Sequence, residues 1–270
     1  MRARSRSRCI RPTMKRVSGA NCSACSARLP RRPSRAHRFS GRWSAKRPPA
    51  SPREFQDQGV SSMKTIGEIV KLGPVIPVLA FDSVEQGEQV SRALHAGGVK
   101  VLEITLRTPA GIEAIQRASQ LAEDIVVGVG TITKPEHCAQ AKRAGAKFGV
   151  SPGLTKDLHL ASLDAGLPLL PGVMTPSDII QALEFGYEIV KFFPAQQAGG
   201  VPMLQAFHGP FPTLKFCPTG GITADTAPNF LKQPNVVCVG GSWLTPKAAL
   251  AAQDWAEVTR LAEAASRLSR

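Results

Sequence analysis

The sequence predicts an α/β protein whose main domain is a (β/α)8 barrel, the TIM-barrel architecture. Eight strand-like runs alternate with helix-period segments between Val75 and Val239. This alternation implies a parallel sheet, and eight such units are what a closed barrel requires. The structural alternative is an open, doubly wound sheet with a Gly-rich turn after its first strand. The segment Phe81-Asp82-Ser83 is not such a turn, so we favour the barrel.

The predicted elements follow one another in regular order after a short amphipathic helix at 65–72, which Gly73-Pro74 ends. The predicted strands are 75–80, 100–105, 125–129, 147–150, 168–170, 188–193, 214–217 and 236–239. The predicted helices are 84–96, 110–121, 135–144, 156–165, 176–185, 202–207, 224–231 and 247–268. Asp82 or Ser83 is expected to cap the first barrel helix, and repeated Ala-Gly pairs mark helix ends.

The charge divides the chain into two unequal parts. The formal net charge is +14, which would suggest a nucleic-acid or membrane partner. Residues 1–62 hold 16 basic and 2 acidic residues, which accounts for the whole excess because 16 − 2 = 14. The remaining 63–270 segment is neutral, with 18 basic and 18 acidic residues, and we assign it to the barrel domain.

The first part, residues 1–62, is rich in Arg, Ser and Pro and shows no sustained helical or strand period. We predict that it is disordered, because it cannot bury enough apolar surface to offset the entropy of ordering. It is interpreted as a genuine tail, as an organellar targeting segment, or as untranslated because translation starts at Met63; we favour the last. Cys22 and Cys25 have metal-ligand spacing but lack a second pair of ligands, so no zinc site is predicted.

The rest of the sequence favours a reduced, cytoplasmic protein. Cys138, Cys217 and Cys238 lie far apart in apolar or strand-like surroundings and are expected to be reduced core residues. No run approaches about 20 apolar residues, so no membrane span is predicted. We expect neither a membrane nor a nucleic-acid partner.

Lys191 is the first candidate for chemistry, because it lies in the middle of the apolar sixth predicted strand. Burial disfavours the charged form of an amine, and a neutral amine can condense with a ketone to a Schiff base, whose iminium form draws electrons from the neighbouring carbon. The alternative is a lysine whose charge reaches solvent or pairs with a carboxylate.

Glu103 is the second candidate, because strand alternation places it and Thr105 on the face of Val101, toward the barrel interior. A carboxylate among branched apolar residues needs a purpose. Two interpretations remain open: a buried partner of Arg107, or a proton shuttle beside Lys191.

The ends of the predicted strands indicate a ligand site, since barrel enzymes react at the C-terminal ends of their strands. Small residues follow the third, fourth and fifth strands and leave open space there. Gly-Gly pairs follow the seventh and eighth strands, at Gly220-Gly221 and Gly240-Gly241. Glycine lets backbone N–H groups converge on an anion, and a helix N-terminus would add to the attraction, so we predict a phosphate site.

Taken together, these motifs resemble the family of 2-keto-3-deoxy-6-phosphogluconate (KDPG) aldolases, also called 4-hydroxy-2-oxoglutarate (KHG) aldolases. The resemblance covers roughly residues 73–246. The matching segments are GGVKVLEITLRT at 97–108, GVGT at 128–131, SPGL at 151–154, VKFFPA at 190–195, FCPTGGI at 216–222 and GGSWL at 240–244. Nothing in residues 1–62 belongs to it.

The resemblance implies a class I, Schiff-base aldolase of the Entner–Doudoroff route that needs neither metal nor cofactor and forms homotrimers. Lys191 would form the Schiff base and Glu103 would move protons. The other implied site residues bind the carboxylate end (Arg107, Thr131), shape the pocket (Pro152, Phe193), read the C4 hydroxyl (Thr219) or bind the 6-phosphate (Gly220, Gly221, Gly241, Ser242). The implied products are pyruvate and glyceraldehyde 3-phosphate, and unphosphorylated KHG is a plausible second substrate.

Three alternatives remain open at this point. The chain could cleave the C4 epimer, the 6-phosphogalactonate analogue, which its motifs fit less well around Arg107 and Thr219. It could be a sugar-phosphate isomerase or epimerase, which would share the phosphate site but would not need a buried lysine. It could also be a nucleic-acid-binding protein acting through its basic tail, although that tail has few aromatic residues for base stacking.

Overall fold

The computed structural model describes residues 64–269. The predictions made for residues 1–62, including disorder and the Cys22–Cys25 pair, lie outside the described residues. Within the described part of the chain, no helix is both long and apolar enough to span a membrane.

Nine short strands lie within residues 64–269 and form two sheets. They are β1 Val75–Leu79, β2 Val101–Thr105, β3 Val126–Gly130, β4 Phe148–Val150, β5 Leu169–Leu170, β6 Gly172–Val173, β7 Ile189–Phe192, β8 Lys215–Pro218 and β9 Val239–Gly241. Strand β5 lies within the fifth predicted strand at 168–170, whereas β6 lies beyond its predicted end. Pro171, which has no N–H to continue the ladder, separates the two, and together they occupy one strand position of the barrel. The predicted eight-strand pattern is therefore confirmed.

All strand pairs are parallel and follow the order of a barrel. One sheet runs β5-β4-β3-β2-β1-β9 and the other runs β6-β7-β8. The sheets join on one side through Pro171, whose carbonyl accepts a hydrogen bond from the Lys191 N–H at 2.8 Å. On the other side, the parallel bridges Phe216–Val236 and Thr219–Gly240 join β8 to the β9 segment. The predicted (β/α)8 barrel is confirmed.

Ten helices occur among the described residues. They are α1 Ile66–Ile69, α2 Val84–Ala96, α3 Gly111–Ala118, α4 Glu136–Arg143, α5 Lys156–Asp164, α6 Pro176–Glu184, α7 Gly200–His208, α8 Ala227–Leu231, α9 Lys247–Ala252 and α10 Trp255–Ser266. Ser83 caps α2 by accepting from the N–H of Gln86. The single helix predicted at 247–268 is wrong, because Gln253 adopts φ 55° and ends α9 before Asp254 caps α10.

Two apolar layers hold the barrel together. Side chains such as Val101, Phe148 and Leu170 fill the lower interior, where Ile69 and Val70 of the N-terminal helical segment pack on them. A larger layer lies between the strands and the outer helices. The three predicted core cysteines are buried and form no disulfide (Cys138, Cys217 and Cys238). The helix predicted at 65–72 therefore forms the floor of the barrel.

Candidate active site

Lys191 and Glu103 meet inside the barrel. Lys191 lies on β7 and is 5% exposed, and Glu103 lies on β2 and is 3% exposed. The Lys191 Nζ atom donates a hydrogen bond to Glu103 Oε1 at 3.1 Å. It also lies 5.4 Å from the centroid of the Phe193 ring. Of the two interpretations of Glu103, the structure supports the one that pairs it with Lys191.

This buried pair has a specific chemical capacity. Removing two charges from water is costly, and a close hydrogen-bonded contact offsets that cost only while both partners are present. A proton that moves from Nζ to the carboxylate leaves a neutral amine beside a neutral acid. The amine is then a nucleophile and the carboxyl group is a proton donor within hydrogen-bond reach.

Arg107 lies above this pair, at the exposed end of the β2 segment. Its Nε donates to the Thr105 hydroxyl at 3.0 Å. The Thr105 hydroxyl itself donates to the carbonyl of Leu79 on β1 at 2.7 Å. The interpretation of Glu103 as a buried partner of Arg107 is therefore wrong, because Glu103 pairs with Lys191 and Arg107 donates to Thr105.

Thr131 follows β3 directly and has a backbone conformation that is unusual for its residue type. Its φ is 64°, in the left-handed region, which a β-branched side chain rarely occupies. Strain of this kind persists where surrounding structure enforces it, and it concentrates at functional sites. The neighbouring Ile132 N–H donates to the Val150 carbonyl at 3.1 Å, which ties this turn to the end of β4.

A cavity of about 350 Å³ opens beside Pro152 at the ends of β4 and β6. Pro152 is exposed on its wall, and Gly172, the register partner of Lys191, also lines it. Asp178 closes one side. Burial acts to raise the pKa of Asp178, but hydrogen bonds from the Met174 and Thr175 N–H groups outweigh it and hold that pKa below its ordinary value.

The loop after β8 presents its backbone in a form suited to an anion. Gly220 and Gly221 have φ values of 107° and 71°, which favour glycine at both positions. The loop after β7 packs on them, since the Gln196 N–H donates to the Gly220 carbonyl at 3.0 Å. Thr219, just before them, is buried with 5% exposure and points toward the interior, as does Cys217.

The second Gly-Gly pair, Gly240-Gly241, allows neighbouring side chains to pack directly against the backbone. A Cβ at Gly240 would overlap the Thr219 hydroxyl, and one at Gly241 would overlap the Trp243 ring. Ser242 is exposed beside them. Helices α8 and α9 begin several residues beyond each pair, so the N–H groups of these glycines belong to loops and not to the first turn of a helix. The helix contribution expected from the sequence is absent at these two pairs.

Sequence reasoning missed two residues that shape the site. A Cβ at Gly130 would meet the carboxylate and Cγ of Glu103, so the absence of a side chain there leaves room for that carboxylate. Thr105 was placed on the interior face, but its bond to Arg107 was not anticipated. The only hints in the sequence were that Gly130 is a small residue at the end of a strand and that Thr105 places a hydroxyl group on an apolar strand face. Among residues 64–269, no group of three or more His, Cys, Asp or Glu side chains is arranged to hold a metal ion.

A buried lysine that can exchange a proton with a carboxylate inside a (β/α)8 barrel, below glycine loops at the last two strands, defines a Schiff-base lyase of the class I aldolase type. Comparison with known proteins agrees. The sequence model of the family described as "Aldolase: KDPG and KHG aldolase" matches residues 66–261. The chain belongs to this family, and the sequence-based prediction of a class I aldolase is confirmed.

Individual relatives are similar over nearly their whole length. The 2-dehydro-3-deoxy-phosphogluconate aldolase of Dickeya dadantii is 44% identical over 76% of this chain and 97% of its own. The KHG/KDPG aldolase of Escherichia coli K12 is 42% identical over the same shares, 76% and 97%.

Solved structures of such enzymes superpose well. The KDPG aldolase of Zymomonas mobilis matches with a TM-score of 0.73 and 42% identity, over 77% of this chain and 98% of its own. The KDPG aldolase of Legionella pneumophila, solved with pyruvate captured as a covalent carbinolamine intermediate, matches with a TM-score of 0.72 and 43% identity, over 74% and 97% of the two chains.

Proposed function

We propose that this protein cleaves 2-dehydro-3-deoxy-6-phosphogluconate to pyruvate and glyceraldehyde 3-phosphate through a Schiff base on Lys191. The observation that carries the proposal is the buried contact between Lys191 Nζ and Glu103 Oε1 at 3.1 Å. The substrate is inferred from the names of two relatives, the 2-dehydro-3-deoxy-phosphogluconate aldolase of Dickeya dadantii and the KHG/KDPG aldolase of Escherichia coli. Both names refer to this phosphogluconate compound. Neither a metal ion nor an organic cofactor has a role in the proposed reaction.

The proposed reaction begins with a proton transfer from Lys191 to Glu103. The neutral amine attacks the C2 carbonyl, and the carbinolamine hydroxyl takes the proton of Glu103 and leaves as water, which gives an iminium ion and returns Glu103 to its carboxylate form. The C3–C4 bond then breaks, its electrons enter the iminium system, and Glu103 as carboxylate takes the proton of the C4 hydroxyl. Glyceraldehyde 3-phosphate leaves. Protonation of the enamine at C3 and hydrolysis release pyruvate and restore the amine.

The remaining site residues take the roles that their positions support. Arg107 and Thr131 hold the substrate carboxylate, and Pro152 and Phe193 shape the pocket. Thr219 contacts the C4 hydroxyl. The phosphate lies at the far loops, on Gly220, Gly221, Gly241 and Ser242. The left-handed backbone conformation of Gly220 and Gly221 supports the phosphate assignment, because loops of this kind can direct N–H groups toward an anion.

A second substrate, unphosphorylated 4-hydroxy-2-oxoglutarate, is favoured by the similarity to a KHG/KDPG aldolase. That substrate presents the same keto acid to Lys191 and gives pyruvate and glyoxylate. It ends in a carboxylate after C4 and cannot make the 6-phosphate contacts, so a higher KM is expected for it.

The test is to measure pyruvate release from three compounds: the phosphogluconate substrate, its C4 epimer and 4-hydroxy-2-oxoglutarate. We expect the first to have the highest kcat/KM. Lys191→Arg should abolish release from all three, because a guanidinium group does not form the Schiff base. Substantial activity in Lys191→Arg would instead favour an isomerase or epimerase, and a higher kcat/KM on the epimer would replace the proposed substrate.

We further propose that the chain acts as a cytoplasmic homotrimer. Five large apolar side chains are exposed on α5, on α6 and just before α6: Leu160, Leu163, Met174, Ile180 and Leu183. We call this set the α5–α6 patch. His159 of α5 stacks on Phe185 at the end of α6, with ring centroids 4.5 Å apart, so the two helices are neighbours. Several large apolar side chains exposed on neighbouring helices favour a protein interface.

A further inference from the structure

We propose that Thr105 is a positioning residue for substrate binding, which fixes the guanidinium of Arg107 through its hydroxyl group. The inference rests on the proposed role of Arg107 in holding the substrate carboxylate. Thr105 itself is only 1% exposed, so it would act through Arg107 and not by contact with the substrate.

The hydrogen-bond geometry around Thr105 has a defined direction. A threonine hydroxyl carries one hydrogen and two lone pairs. Its hydrogen is used on the Leu79 carbonyl at 2.7 Å, so its lone pairs face Arg107, whose Nε lies at 3.0 Å. Leu79 lies on β1 and Thr105 on β2, and the two strands are paired. Arg107 is thereby tied to a rigid part of the barrel wall.

This attachment leaves the binding edge of Arg107 available. The guanidinium has five N–H donors, and Thr105 occupies only the one on Nε. No carboxylate of residues 64–269 forms an ion pair with Arg107. The two terminal nitrogens can therefore bind a carboxylate in the bidentate manner that arginine favours. An arginine already held in place loses less side-chain entropy when the ligand binds.

Two substitutions separate the hydroxyl group from the shape of the side chain. Thr105→Val keeps the branched shape and removes the hydroxyl, whereas Thr105→Ser keeps the hydroxyl. With Arg107 released, we expect Thr105→Val to raise the KM for the keto acid substrate about five- to tenfold, because the freed arginine side chain must be immobilised when the substrate binds. The kcat should change less than the KM, because Thr105 touches no reacting atom. Thr105→Ser should restore the KM to within about threefold of the wild-type value.

A double variant distinguishes failure of this inference from failure of the proposed role of Arg107. Arg107→Ala should raise the KM by itself, and adding Thr105→Val to it should cause no further rise. If Arg107→Ala leaves the KM unchanged, the role proposed for Arg107 is wrong. If Arg107→Ala raises the KM but Thr105→Val does not, the positioning role of Thr105 is overturned.

A purely structural role for Thr105 would give another pattern. Thr105→Val would then lower the melting temperature and the kcat, and its effect would persist in the Arg107→Ala background. Thr105→Ala, which also lacks the hydroxyl, serves if Thr105→Val does not fold. The proposal requires it to give the same selective rise in KM.

Discussion

Gly130 lies against Glu103 so closely that a Cβ atom on the glycine would overlap the carboxylate of the glutamate. Gly130 ends β3, and Glu103 lies on the neighbouring strand β2. The glycine therefore leaves the space in which the carboxylate reaches Lys191. This relationship makes the position of the proposed proton shuttle depend on the absence of a single methyl group.

We expect Gly130→Ala to lower kcat by about tenfold to a hundredfold, because the displaced carboxylate no longer sits within hydrogen-bond reach of the reacting groups. Steady-state kinetics of pyruvate release provide the measurement. Gly73→Ala is the matched control, since a Cβ there meets nothing closer than 3.8 Å. Equal kcat values for Gly130→Ala and wild type would show that the contact does not position Glu103.

The left-handed conformation of Thr131 predicts that replacing it with glycine stabilises the fold and weakens substrate binding. Thr131→Gly should raise the free energy of unfolding by up to about 1 kcal/mol, because glycine adopts this conformation without strain. The same substitution should raise the KM, because it removes the hydroxyl proposed to bind the carboxylate. Gln253→Gly is the control: its φ of 55° is also left-handed, but it lies between α9 and α10.

Urea denaturation and steady-state kinetics check both effects. We expect both variants to gain stability and only Thr131→Gly to lose affinity. An unchanged KM in Thr131→Gly would remove Thr131 from the binding site.

His159 predicts a pH dependence of stability. It is partly buried between Phe185 and the Tyr187 hydroxyl, which lies 2.9 Å from its Nδ1. Burial lowers its pKa below the ordinary value of 6.5. The unfolded chain therefore binds the proton more readily, so the contribution of His159 is full above pH 6.5 and is lost as the pH falls through the lowered pKa.

Urea denaturation between pH 7.5 and pH 5, roughly the range in which histidine titrates, measures this contribution. We expect wild-type stability to fall with pH and expect His159→Phe, which keeps the ring stack, to show a smaller fall. Asp178 should not contribute to any loss of stability that the variant shows above pH 5, because the lowered pKa of Asp178 places its titration in more acidic solution. Identical slopes for the two proteins would contradict this assignment.

The α5–α6 patch predicts how assembly can be broken. Leu163 has 60% exposure, the highest of the five side chains in the patch. Leu163→Glu should give a smaller species in sedimentation velocity, because a carboxylate in an apolar interface would be buried without a partner. The control is Gln120→Glu, which adds the same charge just after α3. A trimer that survives Leu163→Glu would place the interface on another surface.

Much of the barrel could be predicted from the sequence because its signals are local. The helix period at 84–96, Ser83 as a cap, and apolar strand runs all depend on neighbours in the chain, and α2 ends where it was predicted to end. The last strand was placed too early. Val236 forms only an isolated bridge, and regular pairing begins at Val239, where the glycines of β9 admit the close neighbours Thr219 and Trp243.

The sequence could predict which residues form the site, but not which of their side chains contact one another. Alternation along β2 identified Glu103 as an interior carboxylate, yet only closure of the barrel determines that β2 faces Lys191 on β7. The link from Arg107 to Thr105 was hidden for the same reason, because the orientation of the hydroxyl depends on the Leu79 carbonyl of another strand. The role of Gly130 is defined by a side chain from β2 and cannot be read from the glycine alone.

The central claim is that Lys191 forms a Schiff base, and borohydride trapping tests it most directly. The protein is incubated with pyruvate, reduced with borohydride and mapped by peptide mass analysis, with Lys142→Arg and Lys191→Arg treated in parallel. The account predicts a pyruvate-dependent mass increase on the peptide that contains Lys191, in the wild type and in Lys142→Arg, and none in Lys191→Arg. A folded wild-type protein that acquires no adduct, or acquires it on another lysine, would contradict the account.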